Sequence, residues 1–321
     1  MRLFRKSGHN IGVCILSFIP LMLCSCSHPE KIVIERLDTA APANTRELTD
    51  SFSPALKAMA PLFGQQSPRE IMEAYRSSDA QQVFAPDIDR RLGPLDRTES
   101  QLGLMRRNMA SELPSVRFPA RFFGIATPYR QSVMVCDSVI LIGLNHYLGP
   151  DYPGYASFES HIRSQKTASR IAADVAEALI ATTYPYTATD NPTVLSRLLY
   201  EGAVMNAVAT ALPSEPPAEL LGYDDSEMDW VTQNESAIWQ RLVSTDMLFS
   251  TDLATADRLV RPAPSTPAVN PAAPGRVGRF IGMRIVRSYL SANPDSTIES
   301  TLRPTFYNSL QTLKNASYFP K

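Results

Sequence analysis

The sequence predicts a predominantly helical α+β fold, in which a small antiparallel sheet is followed by a buried central helix and packed C-terminal helices. Apolar residues recur at helical spacing both before residue 110 and after residue 190. Between Val116 and Leu144 the period changes to short β-branched and aromatic runs, RFFGIATP, VMVC and VILIGL, parted by turn residues such as Asp137-Ser138. Residues 167–182, TASRIAADVAEALIAT, are then apolar around nearly the whole helical circumference. The 321 residues, 44% hydrophobic and 20% charged, suit one sizeable domain, with no internal repeat.

The chain opens with a leader. Arg2, Arg5 and Lys6 precede an apolar run from Ile11 to Leu23 that is shorter than the roughly 20 residues a membrane-spanning helix needs. Its end, Leu23-Cys24-Ser25-Cys26, looks like a bacterial lipobox, which assigns residues 1–25 to a signal peptide and Cys26 to lipidation. Reading Cys24 as the lipid site would put Leu23 where a small residue is required. Several acyl chains, at about 0.8 kcal/mol per buried methylene, would hold the protein to a membrane firmly. Removing the leader takes three of the 31 basic groups and none of the 32 acidic ones, so the rest carries a net charge of about −4. Nothing in that balance points to nucleic acid. With Cys14 and Cys24 removed and Cys26 acylated, Cys136 stands alone in an apolar segment, so no disulfide is expected and the core must supply the stability.

Residues 26–49 read as the lipidated cysteine and a tether with a short strand around Ile32-Val33-Ile34; a single globular domain is expected over 50–321. From Asp50 to Arg107 the pattern is helical, with Ser67-Pro68-Arg69-Glu70 as cap and first turn and a break at Gly93-Pro94. These helices are expected to cover the core. After the strand-like region comes a loop of Tyr, Gly and Pro from Asn145 to Tyr155. Loops of that make-up are usually surface turns, though aromatic loops beside a sheet also hold ligands, which makes His146, Tyr152 and Tyr155 candidates. A lone histidine such as His146 is more often a hydrogen-bonded structural residue than a catalyst.

On the central helix, Arg170, Asp174 and Glu177 form the one polar stripe, because residues four and seven apart share a side. No histidine accompanies them. A metallopeptidase helix of this kind would carry H-E-x-x-H, since two imidazoles one turn apart grip a zinc ion from one face. A second helix is expected from about Thr193 to Ala211. There Glu201 has Leu198, Val204, Met205 and Val208 as helical neighbours, so its carboxylate falls on the side to be buried and needs a partner. That partner is a metal in a functional reading, or an arginine or backbone donors in a structural one. The missing histidine pair favours the structural one.

Asp224-Asp225-Ser226-Glu227 has the form of a cap, followed by an amphipathic stripe through Met228, Val231, Ile238, Trp239, Leu242 and Val243. Five prolines between Arg261 and Pro274 enforce an extended segment. The last informative helix is GRVGRFIGMRIVRSYL, from Gly275 to Leu290. Its glycines are not arranged as a phosphate loop and suit a close approach to another backbone. Arg276, Arg284 and Arg287 read as one row, which is open to three dispositions: toward an anionic ligand, toward solvent, or inward to Asp174 or Glu201.

Several stretches together carry a family resemblance. They are Ile142–Gly149 (IGLNHYLG), Tyr152-Pro153 with Tyr155, Glu201-Gly202, Glu235–Trp239, Leu248–Asp252, Pro274–Arg279, Ile285–Tyr289 and the closing Ala316–Pro320 (ASYFP). In that order, with the lipobox, the chain resembles the gliding-motility lipoprotein family of Bacteroidetes, GldB. The resemblance implies an anchored envelope protein of the gliding machinery and its associated secretion system, with other envelope proteins as partners. Ser27 onward lacks the acidic cluster of surface-exported lipoproteins, so the chain is expected to face the periplasm from a membrane that the sequence does not specify. The family in turn resembles zincin-type metallopeptidases, which implies a zincin-like fold. Here only the later Glu201-Gly202 pair of their zinc motif is present, so the expected role is binding or scaffolding, with no catalytic residue, metal or cofactor assigned. The candidate cleft residues are His146, Tyr152, Tyr155, Asp174, Glu177, Glu201, Arg276, Arg284 and Arg287. Two other functions stay open: a metal-dependent hydrolase using His146 with the three carboxylates, and a glycan-binding protein using Tyr147, Tyr152, Tyr155 and the tryptophans.

Overall fold

The computed structural model describes residues 31–40, 46–64 and 67–320. The signal peptide and the lipid site Cys26 lie outside the described residues. Within the stretch read as tether, the short strand is present at Ile34–Arg36 (β1), followed by helix α1 (Leu37–Ala40), and both dock on the domain.

The other strands are β2 (Arg121–Ile125), β3 (Val133–Cys136) and β4 (Val139–Gly143). They form one four-stranded sheet in the order β1-β2-β4-β3. The sheet is mixed, which corrects the antiparallel expectation: β1 with β2 and β2 with β4 are parallel, and only the β3–β4 hairpin is antiparallel. Asp137, with a φ of 38°, makes the tight turn of that hairpin. The chain then returns β4 between β2 and β3. Burial explains the insertion, because every residue of β4 is buried whereas β3 is half-buried along its length. A strand apolar on both faces gains most at the centre of a sheet covered on both sides.

Both sides are covered. On one face Phe123, Ile125, Val139 and Leu141 meet helices α3 (Ser53–Phe63) and α4 (Pro68–Ser77), through Leu56, Met59, Ile71 and Tyr75. A short helix, α2 (Arg46–Ser51), leads into this layer. Ser67 and Glu70 form the capping box of α4. The opposite sheet face, with Phe122, Ile140 and Ile142, packs on the larger helical core. Helices α5 (Asp79–Leu92) and α6 (Asp96–Glu112) cross to that core, followed after the sheet by α7 (Ser160–Arg163) and α8 (Arg170–Thr183).

The innermost helix is α9 (Val194–Ala211), capped by the Thr193 hydroxyl at the expected start. Fifteen of its 18 residues are buried. Around it lie α6, α8, α10 (Pro217–Leu221), α13 (Leu253–Val260), α14 (Val277–Ala292), α15 (Ile298–Thr301) and α16 (Pro304–Tyr307). The helix at 167–182 is thus buried but peripheral to its successor. The stripe from Met228 to Val243 divides at Asn234 into α11 (Asp225–Gln233), with an Asp224–Glu227 capping box, and α12 (Glu235–Ser244). Helix α17 (Leu310–Ala316) closes the chain against α14. Among the described residues no helix is long and apolar enough to cross a membrane.

Candidate functional site

Helices α8, α9 and α14 converge on a cleft of about 570 Å³, closed on the other side by the loop into β3 and by the end of α13. Each helix contributes charge at helical spacing. On α8, Arg170 and Asp174 stand one turn apart, with Nη2 of the arginine 2.8 Å from Oδ1. On α9 the same spacing joins Arg197 to Glu201, Nη2 to Oε1 at 2.8 Å. The first turn of α14 brings Arg279, whose Nε donates to Glu201 Oε2 at 2.9 Å and whose Nη2 donates to Glu177. One guanidinium therefore bridges the buried Glu201 and the part-buried Glu177. Arg276, the residue before α14, takes a left-handed conformation (φ 62°) that turns its side chain into the same cleft.

The carbonyl end of α10 completes the frame. The last carbonyls of a helix lack intrahelical partners. Here Leu220 accepts from Arg170 Nη1 at 3.1 Å and Leu221 from Arg276 Nη1 at 2.9 Å. From behind, the Tyr147 hydroxyl donates to Asp174 Oδ2 at 2.9 Å.

These contacts shift the titrations. Burial disfavours the charge on Glu177, but Arg279, Arg170 and Arg276 outweigh it and hold the carboxyl below the usual range. Asp174 moves the other way: burial and the neighbouring Glu177 raise it despite Arg170. Burial works against the charge on Arg279, and Glu177 and Glu201 more than restore it. Arg276 is pushed down to about 10, first by burial and then by Arg279 and Arg170.

Of the sequence candidates, Asp174, Glu177, Glu201 and Arg276 meet in this cleft. The other five do not. Arg284 Nε pairs with Glu235 Oε1 at 2.8 Å and Arg287 Nε donates to Asn206 Oδ1 at 2.9 Å, farther along α14. The expected row of three arginines fails because Arg276 precedes the helix and is off its period. Tyr152 donates to Asp87 Oδ2 at 2.8 Å, and Tyr155 donates to the Asn145 carbonyl; both rings are buried, as is Tyr147. The aromatic loop therefore folds inward as packing and offers no open platform. The functional residues that the candidate set missed are Arg279, Arg197 and the pairing role of Arg170. Arg197 could have been found from its i, i+4 spacing to Glu201, and Arg279 from lying one turn before Gly282.

His146 sits behind the cleft. Its Nε2 donates to the Tyr129 carbonyl at 2.8 Å, and Nδ1 faces Lys166 Nζ at 3.3 Å. Burial and the Lys166 charge lower its pKa from 6.5 to about 4. In the window between those values the unfolded chain binds a proton that the folded chain does not, so stability falls as the pH drops through it, by up to about 3 kcal/mol. Urea titrations across this window are expected to show that acid limb in the wild type and a flatter one in His146→Gln.

Among the described residues no group of three or more His, Cys, Asp or Glu is placed to hold a metal ion. No curated protein and no solved structure matches the chain. Residues 25–320 match the family model described as gliding motility protein GldB, and the chain belongs to that family.

Proposed function

We propose that this chain is a lipid-anchored envelope protein of the gliding machinery and its associated secretion system, and that it works by holding a partner in the α8–α9–α14 cleft. On this reading Cys26 carries the acyl chains and the domain faces the periplasm, bound to other envelope proteins. The cleft is a peptidase-like scaffold that no longer does zincin chemistry. The observation that carries the non-catalytic part is Arg279. Its guanidinium lies between Glu177 and Glu201 and spends both carboxylates on an ion-pair network. Arg279 holds the Glu177 carboxyl below the usual range, the opposite of what a general base needs, and its positive charge against both carboxylates opposes a divalent cation there. Membership of a gliding-motility family supports the cellular role.

Two measurements test this. Purified protein given zinc and an unfolded protein substrate is expected to show no hydrolysis; zinc-dependent cleavage that disappears in Glu201→Gln would sink the binding role. In cells, Cys26→Ala is expected to move the protein from the membrane to the soluble fraction and to remove its cross-links to envelope proteins. A variant that stays on the membrane would remove the anchor.

A further inference from the structure

The cleft has more cations than its carboxylates can use. Six arginines and four carboxylates line it. Asp174 takes Arg170, Glu177 and Glu201 share Arg279, Glu201 also takes Arg197, and Asp257 takes Arg261. Among the described residues, Arg276 and Arg130 are left without an ion-pair carboxylate. Arg276 uses only Nη1, on Leu221 O and Gln165 Oε1, so its Nε and Nη2 have no hydrogen-bond partner among the described residues. Beside it, the Nε of Arg170 is buried without a partner among the described residues, and Arg170 is only 7% exposed. A buried donor left unsatisfied costs about 1–3 kcal/mol, more when charged. The start of α14, a helix of 16 residues, lies next to Arg276 and adds its positive end.

We propose that the cleft binds the terminal carboxylate of an extended peptide with small side chains, held by the Nε–Nη2 edge of Arg276 and by Arg170 Nε. A guanidinium edge matches the two oxygens of a carboxylate as a fork; it grips a phosphate in the same way, and it is the slim apolar lining and the edge strand that favour a peptide terminus. The rest of the lining fits a slim chain. Ala178, Ala181, Val133 and Val260 supply small apolar walls. Val133 also begins β3, the edge strand, whose outer side has no strand neighbour among the described residues and is free to pair with an extended backbone. Exposed Arg130 stands at the rim, where it steers an anion inward. An anion there also offsets the burial and the like charges of Arg279 and Arg170 that push Arg276 down to about 10.

The inference rests on the binding role above, and its readout is separate from the proteolysis assay that tests that role. The probe is N-acetyl-trialanine as the free acid, titrated calorimetrically at low salt up to about 10 mM, which detects a millimolar Kd. The acid is expected to bind the wild type, and the C-terminal amide to bind at least about tenfold more weakly, since a bidentate charged contact is lost. Arg276→Gln is expected to lose the same factor, Arg276→Lys to fall between because it keeps the charge without the fork, and Arg130→Ala to weaken binding severalfold with a shallower salt dependence. A carrier protein ending in three alanines, run in parallel, tells a partner's C terminus from a free peptide as the source, and binding by either form supports the proposal. If Arg276→Gln melts without ligand, Arg276→Lys and Arg130→Ala carry the test. Equal affinity for acid and amide, no binding by either the free acid or the carrier protein, an equal response to inorganic phosphate, or indifference to the arginine changes would overturn the assignment.

Discussion

Gly282→Ala is expected to abolish the cooperative fold or to lower its stability by at least about 3 kcal/mol, a large share of the 5–15 kcal/mol that holds a domain together. The reason lies where α9 and α14 cross. A Cβ on Gly282 would stand 2.8 Å from the Leu198 carbonyl carbon, closer still to its oxygen, and 3.1 Å from the Gly202 nitrogen. The reverse holds as well, since a Cβ on Gly202 would strike the Gly282 carbonyl and come within 2.5 Å of the Met283 nitrogen. All of these obstacles are backbone atoms, so no rotamer change relieves them. Nor can α9 withdraw, because it is enclosed by seven other helices. Separating the pair would also break the stitch at Asn206, whose Nδ2 donates to Gly202 O at 2.8 Å and to Met283 O at 3.0 Å. Gly64→Ala is the control. Gly64 has a φ of 61° but nothing within 4 Å of an added Cβ, so it is expected to show only about 1 kcal/mol of backbone strain. Urea midpoints with unchanged m-values report both; a Gly282→Ala protein as stable as Gly64→Ala would mean that the helices part without cost.

That crossing also marks the boundary of what the sequence makes legible. Local features are read directly. Thr193 starts α9 where a capping hydroxyl is expected, and the Ser67–Glu70 and Asp224–Glu227 boxes form, because each depends on residues three apart. The close approach expected of the glycines on the last helix is present at Gly282 for the same reason: a helix of otherwise large side chains has little other use for it. Strand order is different. VILIGL reads as a strand from its residues, but its place between β2 and β3 depends on helices from both ends of the chain covering its two faces. The site divides in the same way. Glu201's need for a partner follows from its apolar neighbours, and the absent histidines favour a structural partner, an arginine or backbone donors, over a metal. Choosing Arg279 over Arg276, Arg284 or Arg287 requires the point at which α14 begins. That point is set by a left-handed Arg276 on which helical periodicity says nothing.

Arg279→Met tests the centre of the network, and its expected effect depends on pH with a sign that follows from Glu177. In the wild type, burial opposes the Glu177 charge and Arg279 with its neighbours outweighs it, so the folded carboxyl titrates below the unfolded value of about 4.5. A depressed carboxyl stabilises the fold above the unfolded value, and that contribution is lost as the pH falls through the folded one. Methionine fills much of the same volume without charge. It leaves Glu177 with only the more distant Arg170 and Arg276, and Glu201 with Arg197 alone. At pH 7 the loss is expected to be about 3–5 kcal/mol, the cost of stranding a buried charge by removing its partner. Burial then dominates Glu177 and its folded pKa rises above the unfolded one. Its contribution becomes one that is present below about 4.5 and lost as the pH rises, the reverse of the wild type. The gap between wild type and variant in urea midpoint is therefore expected to close as the pH falls from 7 to about 4. Adding Glu177→Gln to the variant is expected to recover part of the loss at pH 7, since a neutral amide there needs no counterion. A gap that stayed constant with pH, or a double variant no more stable than the single one, would mean that Arg279 contributes packing alone and that the bridge between the two carboxylates does not hold the cleft in shape.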